Sequence, residues 1–109
     1  MLPVHFQTKK EMNKEAKKKK SALGLAYEAV MELGYSHSYL TKMDSTVNYP
    51  TLRSIREGKP MRRVTERYYL KMFVDIINKE YAKRIENGGD GATDLLRKMK
   101  EILLAEVNE

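Results

Sequence analysis

The sequence predicts an all-α protein, a helix-turn-helix bundle of about five helices, and three observations carry that expectation. Apolar residues recur at spacings of three and four in successive stretches. No stretch alternates apolar and polar residues with the period of two that a half-buried strand needs. Breaks between the periodic stretches fall at Gly34, Gly58 and the run "NGGDG", glycine positions of the kind that end helices.

The elements follow in order. Residues 1–20 lack hydrophobic periodicity after "LPVHF", end in "KEAKKKK", and read as a flexible basic arm; Met12 is an alternative start within it. "SALGLAYEAVMELGY" sets Leu23, Tyr27, Val30 and Met31 on one helical face, with Ser21 as N-cap and Gly34 as left-handed terminator. "SHSYLTKM" is a two-turn helix capped by Ser36, with Tyr39, Leu40 and Met43 to one side, and "DSTV" is a turn. In "NYPTLRSIREGKP", Asn48 caps, Pro50 occupies the first turn where a missing N–H costs nothing, Leu52 and Ile55 point inward, and Gly58 then Pro60 stop the helix. "VTERYYLKMFVDIINKEYAKRIENGG" is a long helix with Thr65 as expected cap and a stripe of Tyr69, Met72, Phe73, Ile76 and Ile77; its polar second half is expected to project or fray. "ATDLLRKMKEILLAEVNE" is a last helix with Leu95, Leu96, Met99, Ile102 and Leu103 in line. The division expected is an arm (1–20), a helical domain (21–87) and a C-terminal helix (88–109).

Charge is unevenly placed. The chain of 109 residues carries a formal +6. Residues 1–20 hold seven lysines against two glutamates, a net +5, and residues 36–72 hold eight Lys/Arg against three acids, again +5. The segments 21–35 and 73–109 are each −2. Two basic blocks flanking a helical core make an electrostatic footprint for a polyanion, with a merely solvated face as the plain alternative.

Catalysis finds little support. With no cysteine there is no disulfide framework and no thiolate metal site. His5 and His37 are isolated, without the spacing of a zinc site, so neither metal nor cofactor is expected. The glycines at 88, 89 and 91 follow a helix rather than a strand, and no Walker-type Lys-Ser pair follows them. The longest mainly apolar run carries Glu28 and Glu32 and is too short to span a bilayer, and the lack of cysteine fits a reducing cytoplasm, where the protein is expected.

"LRSIREGK" (52–59) looks like the end of a recognition helix of the lambda-repressor-like family, "YSHSYLTKM" is similar to that family's second helix, and "TERYYLKMFVDIIN" resembles its fourth. The resemblance covers about residues 21–78. Leu40 and Leu52 stand one residue further apart than the family's usual spacing, Thr41 replaces alanine, the turn glycine is absent, and Pro50 is atypical. The resemblance implies sequence-specific binding of double-stranded DNA by a transcriptional regulator of phage, plasmid or mobile-element type. With Leu52 and Ile55 inside, it leaves Asn48, Tyr49, Thr51, Arg53 and Ser54 to read bases, Asn48 being needed more as a cap and Tyr49 having packing beside the second helix as its alternative. Ser36 and Ser38, with Lys42, Arg56, Lys59, Arg62 and Arg63, would hold phosphates, and His37 is expected as an exposed bystander. Lys17, Lys18, Lys19 and Lys20 would attract the backbone non-specifically. The stripe Leu95, Leu96, Met99, Ile102 and Leu103 either packs back on the core or pairs two copies as a homodimer. The rival reading is a helical interaction module, for example an antitoxin or accessory protein, with non-specific nucleic-acid attraction only. Single-stranded or RNA binding lacks the interleaved surface aromatics it requires.

Overall fold

Five helices account for the ordered elements of the computed structural model, which describes residues 20–109. They are α1 (Ala22–Glu32), α2 (His37–Met43), α3 (Tyr49–Glu57), α4 (Arg63–Glu86) and α5 (Ala92–Asn108), and no strand occurs among the described residues. The all-α class is therefore met, with five helices.

α1 is the hub. It packs against α5, α4 and α3, while α5 also lies on α4 and α2 on α3. Three alanines make this possible: Ala22, Ala26 and Ala29 are buried, and their small side chains let neighbouring helices come close on several sides. Leu23, Tyr27 and Val30 extend the buried face, as their spacing requires. From the other helices come Leu40, Leu52, Ile55, Tyr69, Phe73, Ile76, Ile77, Leu95 and Ile102, all in one cluster. No polar or charged residue is buried among the described residues, so apolar burial and dispersion hold the centre together.

Local capping explains the boundaries. Ser21 Oγ accepts from Gly24 N at 3.1 Å, Ser36 Oγ from Tyr39 N at 3.1 Å, and Asn48 Oδ1 from Thr51 N at 2.9 Å. Gly58 closes α3 in the left-handed conformation, φ +73°, where its N–H and that of Lys59 reach Ile55 O and Ser54 O. α4 differs from expectation: it begins at Arg63 with Arg62 as an extended N-cap residue, and no side chain caps it. Thr65 is already inside the first turn, because the chain leaving Pro60 reaches helical geometry two residues earlier; Glu66 supplies the favourable negative charge there instead.

Three further expectations change. α2 buries Leu40 alone, while Tyr39 and Met43 are about half exposed, because a seven-residue helix lies on α3 along a narrow seam. The turn contributes Val47 to the core, a residue the composition of "DSTV" did not single out. The second half of α4 continues unbroken to Glu86; Arg84 donates to Glu80 Oε2 and to Gly91 O, each at 3.1 Å, and ties the helix to the start of α5.

For α5 the structure selects back-packing for most of the stripe. Leu95 and Ile102 are buried in the chain's own core, Met99 packs half-buried against it, and Leu96 is half-buried. Leu103 is exposed, together with Leu104 and Val107. At its far end α5 returns to the start of α1, where the Glu109 carboxylate accepts from Ala22 N at 2.6 Å.

Candidate nucleic-acid interface

The turn between α2 and α3 runs from Asp44 to Asn48 without glycine. Asp44 takes an extended conformation, φ −142° and ψ 114°, so the chain reverses with no left-handed residue and the absent turn glycine has no vacancy to fill. Val47 N donates to Asp44 O at 3.0 Å, and Thr46 N to Asp44 Oδ1 at 2.9 Å, an Asx-type turn.

Tyrosine hydroxyls fasten this unit to the long helices. The Tyr68 hydroxyl of α4 donates to the Asp44 carboxylate and lies 2.6 Å from Thr46 Oγ1. Tyr69, buried in the core, accepts from Asn48 N at 3.2 Å. The Tyr27 hydroxyl of α1 is 2.7 Å from His37 Nε2. Hydrogen bonds from Thr46 and then Tyr68 hold the Asp44 carboxyl below its ordinary value, and the Asp44 bond pushes the Tyr68 hydroxyl up. None of these tyrosine contacts was read from the sequence, since helical spacing reports a buried face but not where a ring's oxygen reaches.

α3 is thus a short helix with both ends pinned and its inner face held by Leu52 and Ile55. The five residues offered as base readers divide. Tyr49 and Arg53 are exposed, and with Arg56 they succeed one another at spacings of four and three, one continuous stripe. Thr51 and Ser54 are half-buried on the opposite shoulder, where Thr51 lines a cleft with Val64, Thr65, Tyr68 and Tyr69. Asn48 spends its side-chain oxygen on the cap. Arg56, expected at a phosphate, belongs by position to the Tyr49–Arg53 stripe.

Among the phosphate candidates, Ser36 Oγ is committed to its cap, Ser38 is exposed and its carbonyl accepts from Thr41 Oγ1 at 2.8 Å, and Lys42 is exposed in the last turn of α2. Lys59 pairs with Glu57 at 3.2 Å, both largely in solvent, where such a pair holds weakly. Arg62 and Arg63 are exposed, and Arg63 lines a cleft of about 220 Å³ with Glu66, Arg67, Glu106 and Glu109. Lys20 ion-pairs with Glu28, and across a cleft of about 470 Å³ it faces Arg56, Glu57 and Gly58 at the end of α3. The other arm lysines, Lys17, Lys18 and Lys19, lie outside the described residues.

His37 departs from its expected role as an exposed bystander. It is half-buried, bonded to Tyr27, with its ring edge-on to Tyr27 at 5.8 Å and to Tyr49 at 5.9 Å between centroids. Burial first, then the positive charges of Arg56 and Arg53, hold its imidazole below the ordinary value. Tyr49 accordingly has both features weighed for it: an exposed ring, 46% accessible, that also rests against α2. No helix among the described residues is long and apolar enough to cross a membrane. Comparison with family models, curated proteins and solved structures gives no match to this chain.

Proposed function

We propose that the chain binds double-stranded DNA sequence-specifically, laying α3 in the major groove as a transcriptional regulator of the helix-turn-helix kind. The observation that carries this reading is the exposed Tyr49–Arg53–Arg56 stripe on a short helix whose ends and inner face are fixed. A groove reader needs such rigidity, because a side chain reads a base edge only when its helix cannot shift. Arg53 is the guanine-reading candidate and the Tyr49 ring a thymine-methyl contact, with Arg56 beside them. Lys42, Lys59 and Arg62 supply phosphate contacts around the stripe, and Lys20 lies across a cleft from the Gly58 end of α3.

Selection of bound duplexes from a random pool, followed by binding of the selected sequence across a salt series, tests this. Arg53→Ala is expected to cost about 1–3 kcal/mol and relax the preference at one position, while Arg62→Ala weakens binding to every duplex alike and lowers the salt slope by about one. Absence of affinity for any duplex at low salt defeats the reading. One observation favours a second reading, an interaction module that pairs with a copy of itself: Leu103, Leu104 and Val107 are 60%, 63% and 82% exposed at the end of α5. That reading survives the failure of duplex binding.

A further inference from the structure

His37 sits where three helices meet at the candidate interface. It opens α2, touches α1 through Tyr27, and touches α3 through Tyr49, the first residue of that helix. The titratable and charged groups facing it are Tyr27 from α1 and Tyr49, Arg53 and Arg56 from α3; among the described residues no carboxylate acts on it. Its contact with Tyr27 suits either charge state. In the neutral ring with its proton on Nδ1 the Tyr27 hydroxyl donates to Nε2; in the imidazolium, Nε2–H donates to the Tyr27 oxygen instead. Charging therefore leaves the contact between His37 and Tyr27 in place.

What opposes the charge in the free chain is partial burial and two neighbouring guanidinium groups. A duplex docked along Tyr49–Arg53–Arg56 brings a row of phosphates beside the ring, whose negative charge offsets the two guanidinium groups that oppose its protonation. A group that becomes easier to protonate on binding must, by linkage, make binding tighter where protons are abundant.

We infer that engagement of duplex DNA along α3 adds one solvent proton to His37, so that the affinity of this face for DNA strengthens as pH falls. The inference rests on the DNA reading above. It makes His37 a positioning residue with a second duty, a proton-linked setting of binding strength on the stripe that Tyr49, Arg53 and Arg56 form.

Binding of the full chain to its selected duplex, at fixed salt between about pH 7.5 and pH 5.5, tests it. The chain has two histidines, so the control is compact. Wild type and His5→Gln should bind about three- to tenfold more tightly at the lower pH, within the limit of tenfold per pH unit that one proton allows. His37→Gln, whose amide oxygen can still accept from Tyr27, should bind with no such dependence. Far-UV circular dichroism at each pH keeps loss of fold separate. A second measurement needs no variant to fold: the imidazole proton resonances of His37 in the wild-type chain should titrate at higher pH with duplex bound than without. Duplex binding that ignores pH, a dependence that survives in His37→Gln, or an unmoved resonance overturns the inference and leaves the DNA reading standing. Failure to bind any duplex at any pH overturns both.

Discussion

Tyr69 shows how one side chain can serve two masters. Its ring is buried, stacked edge-on between Tyr68 and Phe73, while its hydroxyl takes the N–H of Asn48, the cap of α3. Removing that oxygen leaves a partly buried backbone donor without a partner and the ring's packing intact. Tyr69→Phe is expected to lower stability by about 1 kcal/mol in urea unfolding, with the m-value unchanged. Asp44 and Tyr68 add a pH signature to the same junction. The Asp44 carboxyl is depressed below its ordinary 3.8, so its contribution is complete above that value and fades as pH falls through the folded one. Tyr68 is raised above 10.0, so its contribution is complete below that and fades in base. The clasp of α4 on the turn therefore holds across neutral pH and loosens at both extremes.

Among the elements, α3 was the most legible in the sequence and α2 the least. Asn48, Pro50, Leu52, Ile55 and Gly58 are each a local signal, acting through the backbone within a turn of helix, and all five behave as their chemistry requires. Tyr39 and Met43 carry the same apolar label as Leu40, yet only the docking of α2 on α3 decides which of the three is covered. The start of α4 lies ahead of Thr65 for a related reason: a helix can begin without a side-chain cap when its first N–H groups remain in solvent. The candidate site was readable in part. Arg53 and Tyr49 were identified from the face opposite Leu52 and Ile55, but the turn of Thr51 and Ser54 toward the other shoulder, and the burial of His37, depend on contacts with α1, α2 and α4 that no local pattern encodes. At this scale Gly58→Ala is the informative change. Nothing obstructs an added Cβ within 4 Å, so the cost is the strained φ of +73° alone, expected at about 1 kcal/mol in thermal or urea unfolding.

For the molecule as a whole, α5 decides whether α1 has a complete environment. Its Leu95 and Ile102 join the central cluster, and α5 packs along α1. A chain ended at Asn87 would uncover the side of α1 that α5 packs against and remove two large core residues, each worth about 2–5 kcal/mol on truncation to alanine. That total approaches the stability of a small domain. The expected outcome is loss of cooperative thermal unfolding by circular dichroism; an unchanged melt would show that α5 is dispensable to the fold.

The carboxylate of Glu109 resting on Ala22 N has a topological meaning beyond its single hydrogen bond. The described chain finishes where it starts, so the path of the backbone is nearly a closed ring with its seam beside the first turn of α1. A ring has no privileged origin. A short linker from Glu109 to Lys20, with new ends opened in the exposed Asn87–Gly88 stretch, would keep every helix against its present neighbours while moving the seam to the opposite end of α4. Which helix comes first is thus a matter of where the ring is cut, and the helix pairs that hold α3 in place do not depend on it.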